Sequence, residues 1–345
     1  MKQFTEFFTS FGGFVIFIMY MVLCAAQGVF VSASHSKEGY NYNTVTVVFL
    51  TEALKLLLAF ACYLKDHSLH SLWSEVSGNM KILSLYLVPS FLYCIYNNLA
   101  FINLSHFEPT NYFILLQLRV VITGIIFELV FNKKLSKIQW MSLGLLTCGC
   151  IIQQIDWNYF FNLYENQNAS INNVFSIYLI LILIQTLCSC FAGVYNEHLL
   201  KQSDTNVNIF IQNMFMYLDS IFWNLTILII QGETVSAFSE ESFRPIFRPL
   251  VVAIIINNAF VGIITSLFLK NLNSILKTFA SAIEILLTAV LCWIFFGIEL
   301  KLNTIVAIGI VSYSLYVYSK NPVANRTKIV HEKTNEEKEG QLQNV

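Results

Sequence analysis

Residues 89–101, Pro-Ser-Phe-Leu-Tyr-Cys-Ile-Tyr-Asn-Asn-Leu-Ala-Phe, and residues 115–121, Leu-Leu-Gln-Leu-Arg-Val-Val, put two adjacent amides and a guanidinium inside otherwise apolar runs. Each run is long enough to cross a bilayer, for which about 20 residues suffice. A guanidinium within a membrane helix costs about 2.5–3.5 kcal/mol even on gentle insertion scales, unless it faces water or a partner. Arg119 therefore predicts a polar interior shared by several spans. The rest of the chain has to supply its walls.

The chain has 345 residues, 56% of them hydrophobic and 12% charged, with a mean hydropathy of +0.62, which makes it an integral membrane protein. A net charge of −1 gives no basic field and argues against a nucleic-acid partner. The eight cysteines all fall in apolar stretches, so the loops carry no disulfide framework. Cys148-x-Cys150 and Cys188-x-Cys190 are too closely spaced for the usual zinc pair and read as small apolar filler. No metal motif, P-loop or nucleophile elbow is present, so neither a cofactor nor an enzymatic activity is expected.

Hydropathy predicts an all-α membrane protein of ten transmembrane helices, near 11–33, 42–64, 82–103, 109–131, 137–155, 173–195, 208–231, 247–269, 274–297 and 302–320. The run after Phe14 is too long for a typical signal peptide and reads as a retained first helix. Lys65, Lys81, Lys133, Lys134, Lys137, Lys201, Lys270 and Lys320 all fall on one side if the N-terminus is cytosolic. The positive-inside rule therefore predicts cytosolic termini. Residues 1–320 then form the helical domain, with halves at 1–155 and 173–320 joined by a lumenal loop at 156–172. That loop carries a sequon at Asn168, while 321–345 reads as a disordered cytosolic tail.

The two halves echo each other. Asn97-Asn98-Leu-Ala-Phe precedes the helix with Arg119, and Asn257-Asn258-Ala-Phe precedes the helix with Lys277. Five helices per half is an odd number, so the halves would be inverted repeats with a central site. Glu52, Lys55, Arg119, Glu128, Asp219, Lys277 and Glu284 all fall within the predicted spans. Glu52 and Lys55 share a helix face, either as a structural ion pair or as part of a cavity wall. Arg119 and Lys277 have no acidic residue on the preceding turn, which suits a planar fork and a point charge to a diphosphate, with pairing to Glu284, Asp219 or Glu128 as the alternative. Asn97, Asn98, Asn213, Gln117, Tyr93, Tyr112 and Tyr217 are mid-span polar groups that could read a base or sugar or hold helices together.

These motifs resemble the nucleotide-sugar transporter family of the drug/metabolite transporter superfamily. The resemblance rests on Thr51-Glu52-Ala-Leu-Lys55-Leu, Tyr96-Asn97-Asn98-Leu-Ala-Phe101, Tyr112 through Gln117-Leu-Arg119, Leu135-Ser136-Lys-Ile-Gln139-Trp140, Gln212-Asn213 with Tyr217, and Lys277-Thr-Phe279-Ala-Ser281. It implies a ten-helix Golgi exchanger that brings a UDP-sugar such as UDP-galactose into the lumen and returns UMP by alternating access. Phosphate contacts would map to Arg119 and Lys277, with Lys55 as the helix-2 lysine. Nucleotide and sugar contacts would map to Tyr93, Asn97, Asn98, Tyr112, Asn213 and Tyr217, with Gln117 and Ser281 in the matching motifs. Arg119 stands where better-known members carry lysine, and Glu284 where they carry a small apolar residue. Besides UDP-sugar, UMP and the surrounding lipids, a homo-oligomer or Golgi glycosyltransferases stay open as partners. The C-terminus Gln341–Val345 shows no retrieval signal, so Golgi rather than ER residence rests on the resemblance. Two other functions fit the same composition: a proton-coupled small-metabolite exporter using Glu52 or Glu284, and a non-transporting organiser of glycosyltransferases.

Overall fold

Apolar runs that cannot hydrogen-bond to lipid must satisfy their backbone internally, and helices do so within one segment. The computed structural model describes residues 11–36, 39–40, 42, 44–106, 112, 115–154, 177–201, 207–232, 234–297, 302–321 and 324–325. Its long helices are α1 (Phe11–Ser34), α2 (Thr44–Asp66), α3 (Leu87–His106), α4 (Leu118–Phe131), α5 (Lys137–Gln154), α6 (Ile177–Lys201), α7 (Ile209–Gln231), α8 (Pro249–Asn271), α9 (Ser274–Phe296) and α10 (Leu302–Ser319). Each predicted span overlaps one of them.

Eight of these segments are long and apolar enough to cross a membrane. The chain is therefore a multi-pass membrane protein. The other two are α4 and α5. As described, α4 has 14 residues, about 21 Å at 1.5 Å per residue, against a hydrocarbon core of about 30 Å. α5 carries Gln139, Ser142, Thr147, Gln153 and Gln154 and is correspondingly less apolar.

Local sequence explains the breaks. Pro89 has no N–H for the Leu85 carbonyl, and the helix that begins at Met80 tightens into a 3-10 turn at Ser84–Tyr86 before α3 begins. The Ser90 hydroxyl donates to the Tyr86 carbonyl at 2.7 Å, a local side-chain bond beside the break. α7 and α9 end at Gly232 and Gly297, both at positive φ, the left-handed stop that glycine accepts without strain. α6 runs to Lys201, six residues beyond the predicted end of that span, because Tyr195 to Lys201 holds no breaker.

The principal packing pairs are α5 with α10, α3 with α6, α1 with α8, α2 with α7, α4 with α6, α1 with α9, α2 with α8, α3 with α7, α9 with α10 and α4 with α5. Exchanging each helix for the one five places along in the chain returns the same set. The main core joins Phe17, Tyr20, Val120, Phe127, Leu143, Leu146, Phe268, Phe279, Val311 and Tyr318, drawn from α1, α4, α5, α8, α9 and α10. Close approaches are set by glycine: a Cβ on Gly28 would lie 2.7 Å from Thr288 Cγ2, and one on Gly149 would lie 2.9 Å from Val311 Cγ2.

One end of the bundle is laced by polar contacts; it carries the α4–α5 link, the α8–α9 turn and the chain's last described residues. Glu197, 1% exposed, accepts from the Ser274 N–H at 2.6 Å and pairs with Lys201 at 2.7 Å. Lys201 also donates to the Leu272 carbonyl, so the foot of α6 is tied to the α8–α9 turn. Glu75, on a short surface helix (Leu69–Gly78), accepts from Asn208 N–H at 2.5 Å at the start of α7. Tyr86 donates to Gln212. β3 (Lys133–Lys134) pairs antiparallel with β4 (Ala324–Asn325), and Gln139 donates to the Asn321 carbonyl at 2.6 Å. The expected disordered tail thus begins with an ordered pairing at 324–325; residues 326–345 lie outside the described residues. Burial and then repulsion from Lys201 push the Lys133 ammonium below its usual value, partly offset by Glu197.

The opposite end is tied as well, among the described residues. Thr46 donates to the Ala237 carbonyl at 2.6 Å, and Asn303 donates to the Gln153 carbonyl at 3.0 Å. A two-residue pairing, β1 (His35–Ser36) with β2 (Gly39–Tyr40), lies just beyond α1.

Candidate functional site

A cavity of about 390 Å³ lies among seven helices. α2 supplies Val47, Val48, Thr51, Glu52 and Lys55, and α8 supplies Asn258, Val261, Gly262, Thr265 and Ser266. Each set repeats at three- and four-residue steps and so forms one helix face. Ser90, Tyr93 and Asn97 come from α3, Met216, Tyr217 and Ser220 from α7, and single residues from α1 (Gln27), α6 (Asn196) and α9 (Lys277). Its size and its few convergent polar groups suit a small ligand.

The charge in the cavity is divided unequally. Lys55 Nζ meets Glu52 Oε1 at 2.6 Å and sits 5.6 Å from the Tyr217 ring centroid. Its stem lies against Gly262, where a Cβ would come within 2.6 Å of Lys55 Cε. The absent side chain is what lets the lysine lie flat on α8. Lys277 also lines the wall, and among the described residues it forms no ion pair within 4.0 Å. Arg119 and Glu284 lie close enough to Lys277 to interact with it electrostatically. Both are off the cavity wall. The alternative expected for Glu284, a direct pairing with Arg119 or Lys277, is not formed within that distance.

Of the sequence candidates, Glu52, Lys55, Tyr93, Asn97, Tyr217 and Lys277 therefore come together. The others sit elsewhere. Asn98 turns its amide back to its own helix, donating to the Cys94 carbonyl at 2.8 Å. Tyr112 accepts from Gln185 at 2.7 Å, and Asn103 donates to Gln185 at 2.8 Å, a buried network that holds α3, α6 and Tyr112 together. Gln117 is buried at the start of α4, and the Arg119 carbonyl accepts from the Cys190 thiol at 3.3 Å, so this stretch faces α6. Asn213 is buried one turn before Tyr217, with no hydrogen-bond partner for its Nδ2 among the described residues. Ser281 lies one turn beyond Lys277, within hydrogen-bonding reach of Tyr20. Glu128 accepts from the Leu135 N–H at 2.5 Å and fixes the α4–α5 link. Asn168 lies outside the described residues.

Sequence reasoning missed Gln27 and Asn196, and it noticed Asn258 only as part of the echo. Asn196 is 3% exposed, and its Oδ1 has no partner among the described residues. It fell one residue beyond the predicted end of its span, which hid both it and Glu197. Gln27 is one amide in an apolar run, which carries no sign of the face it takes.

A family model described as nucleotide-sugar transporter matches residues 9–319. The UDP-galactose transporter senju of Drosophila melanogaster is 49% identical, over 94% of this chain and 90% of its own. The CMP-sialic acid transporter 1 of Arabidopsis thaliana is 28% identical over 90% of each chain. The CMP-sialic acid transporter 2 of Oryza sativa subsp. indica is 27% identical over 88% of this chain and 83% of its own. A solved crystal structure, 12% identical, aligns with 88% of this chain and 94% of its own at a TM-score of 0.61, a likeness of fold.

Proposed function

The chain belongs to the nucleotide-sugar transporter family, and from that premise we propose that it carries UDP-galactose, or a closely related UDP-sugar, into the Golgi lumen in exchange for UMP. The observation that carries this is the cavity, in which two lysines from opposite halves of the chain, Lys55 and Lys277, line one mid-bundle space with amides and tyrosines. A diphosphate needs cations and a nucleoside needs amides and rings, and both sets are present. The 49% identity to a UDP-galactose transporter favours that sugar over the CMP-linked acid named for the more distant relatives.

All ten helices cross the membrane in this proposal, with both termini cytosolic and 1–155 and 173–320 as inverted halves. The helix packing supports it, since the principal pairs are unchanged when the halves are exchanged. Exchange of UDP-sugar for UMP then proceeds by alternating access, with the laced end of the bundle opening as the other end closes. Arg119 acts from behind Lys277 and adds positive potential without touching the cavity wall, while Glu284 offsets part of it. Glu52 already holds Lys55, so it serves as an orienting counter-ion and not as a free proton carrier.

The test is uptake of labelled nucleotide sugars into proteoliposomes of the purified protein, with and without UMP inside. Uptake of one UDP-sugar, accelerated by internal UMP, is the expected result. Uptake indifferent to UMP but driven by a pH gradient would overturn the exchange mechanism.

A further inference from the structure

The cavity has an uncharged end. α8 and α9 meet at the turn Leu272–Asn273, and depth can be counted from there. At 1.5 Å per residue Lys277 lies about 6 Å along α9 and Asn258 about 20 Å along α8. Gly262, where the Lys55 stem lies, is one turn nearer the charged end than Asn258. Asn257 donates to the Leu23 carbonyl of α1 at 2.9 Å, which sets the register of the two helices and brings Gln27, one turn beyond Leu23, to the level of Asn258 or just past it. Both cations thus lie on one side of the Gln27–Asn258 pair.

Among the described residues, neither amide oxygen is committed to the protein. Asn258 Oδ1 is buried with no partner among the described residues, and no described hydrogen bond involves the Gln27 side chain. The buried Asn258 oxygen, left without a partner, costs free energy that a ligand can recover. Each offers an N–H donor and a carbonyl acceptor, the pair that a sugar's neighbouring hydroxyls require. The two aromatic residues of the lining are elsewhere: Tyr217 packs on Lys55, and Tyr93 points its hydroxyl towards Gly193 on α6. A nucleobase needs such rings for stacking, and a hexose does not.

We propose that Gln27 and Asn258 form the sugar-reading subsite of the cavity, taking the hexose hydroxyls of the ligand while Lys55 and Lys277 hold its phosphates. This deepens the function proposed above and rests on it. It makes these two amides determinants of which sugar is carried.

The experiment compares two exchanges in proteoliposomes of the full-length protein: labelled UDP-galactose against UMP, and labelled UMP against UMP. Gln27→Ala and Asn258→Ala each reduce UDP-galactose uptake about tenfold or more while UMP-for-UMP exchange stays within about twofold, because only the sugar loses its partners. The UMP exchange also shows that each variant is folded. Asn258→Gln keeps transport but changes the ratio of UDP-galactose to UDP-glucose, which differ at one hydroxyl. Parallel loss of both exchanges would overturn the inference, since the amides would then serve the nucleoside or the fold. Unchanged rates and ratio in all three variants would overturn it as well, leaving the transport function intact. A wild-type protein that exchanges UMP but no UDP-sugar would instead remove the function proposed above, and the sugar subsite with it.

Discussion

The cavity and the laced end of the bundle are both polar, but they differ in how completely their groups are paired. At the laced end Glu197 satisfies the Ser274 N–H and Lys201, Glu75 the Asn208 N–H and Glu128 the Leu135 N–H, and Gln139 reaches the Asn321 carbonyl, which leaves the Ser274 hydroxyl as a buried group without a partner among the described residues. In the cavity only Lys55 and Glu52 hold each other by an ion pair, while Asn196 and Asn258 keep unpartnered oxygens and Lys277 has no counter-ion within 4.0 Å among the described residues. Saturated polar groups hold a structure in place. Unsaturated ones, buried at a cost, mark where a ligand completes them.

That contrast can be broken most directly at Lys277. Lys277→Ala is expected to lower UDP-sugar uptake about a hundredfold at equal amounts of folded protein, since a charge-assisted hydrogen bond contributes about 1.5–3 kcal/mol and 1.4 kcal/mol is tenfold. Normal uptake would mean that the uncommitted cation is not a ligand contact. The matching change at the laced end is Glu197→Gln. It should lower the thermal midpoint in detergent by several degrees, about 2 kcal/mol of buried charged hydrogen bonding, while uptake per folded molecule falls far less than for Lys277→Ala. A hundredfold transport loss there would erase the distinction between the two regions.

Smaller effects sharpen it. Asn97 lines the cavity and Asn98 is bonded to its own helix, so Asn97→Ala should cost about fivefold in uptake and Asn98→Ala less than about twofold, neutral hydrogen bonds being worth about 1 kcal/mol. The smallest effect concerns pH. Lys133 is held below the usual lysine value of 10.5, chiefly by burial. A base whose folded value is depressed burdens the folded state while protonated, and the burden is relieved as pH rises through the folded value towards 10.5. Lys133→Gln should therefore raise the thermal midpoint slightly near neutral pH, and its advantage should shrink as pH climbs into that window. A constant difference across pH would show that burial of Lys133 costs nothing.

The helices were legible because an apolar run of membrane length has one way to satisfy its backbone. Lys55, Tyr93, Asn97 and Lys277 were legible because charges and amides in such runs demand a common interior. The face that an isolated amide takes was not. Asn97 and Asn98 look alike in sequence, and only packing turns one into the cavity and the other onto its own backbone. The placement of Arg119 off the cavity wall has a related reason: intramembrane charge announces a polar interior, but not whether the side chain lines it or stands behind it. Asn196 and Glu197 were lost to a helix end, which hydropathy places poorly when a polar stretch continues the helix without a breaker.

The pairing of α5 with α10 carries a consequence for how the protein is made. α5 falls short of the apolarity of a membrane span, and the helix it packs against most extensively is encoded roughly 150 residues later. At a synthesis rate of about 5–20 residues per second, α5 waits roughly ten to thirty seconds on the ribosome before its cover exists. During that interval α4 is its neighbour, but the face that α10 will cover has none. The first half of the chain therefore completes its packing only when the last helix arrives.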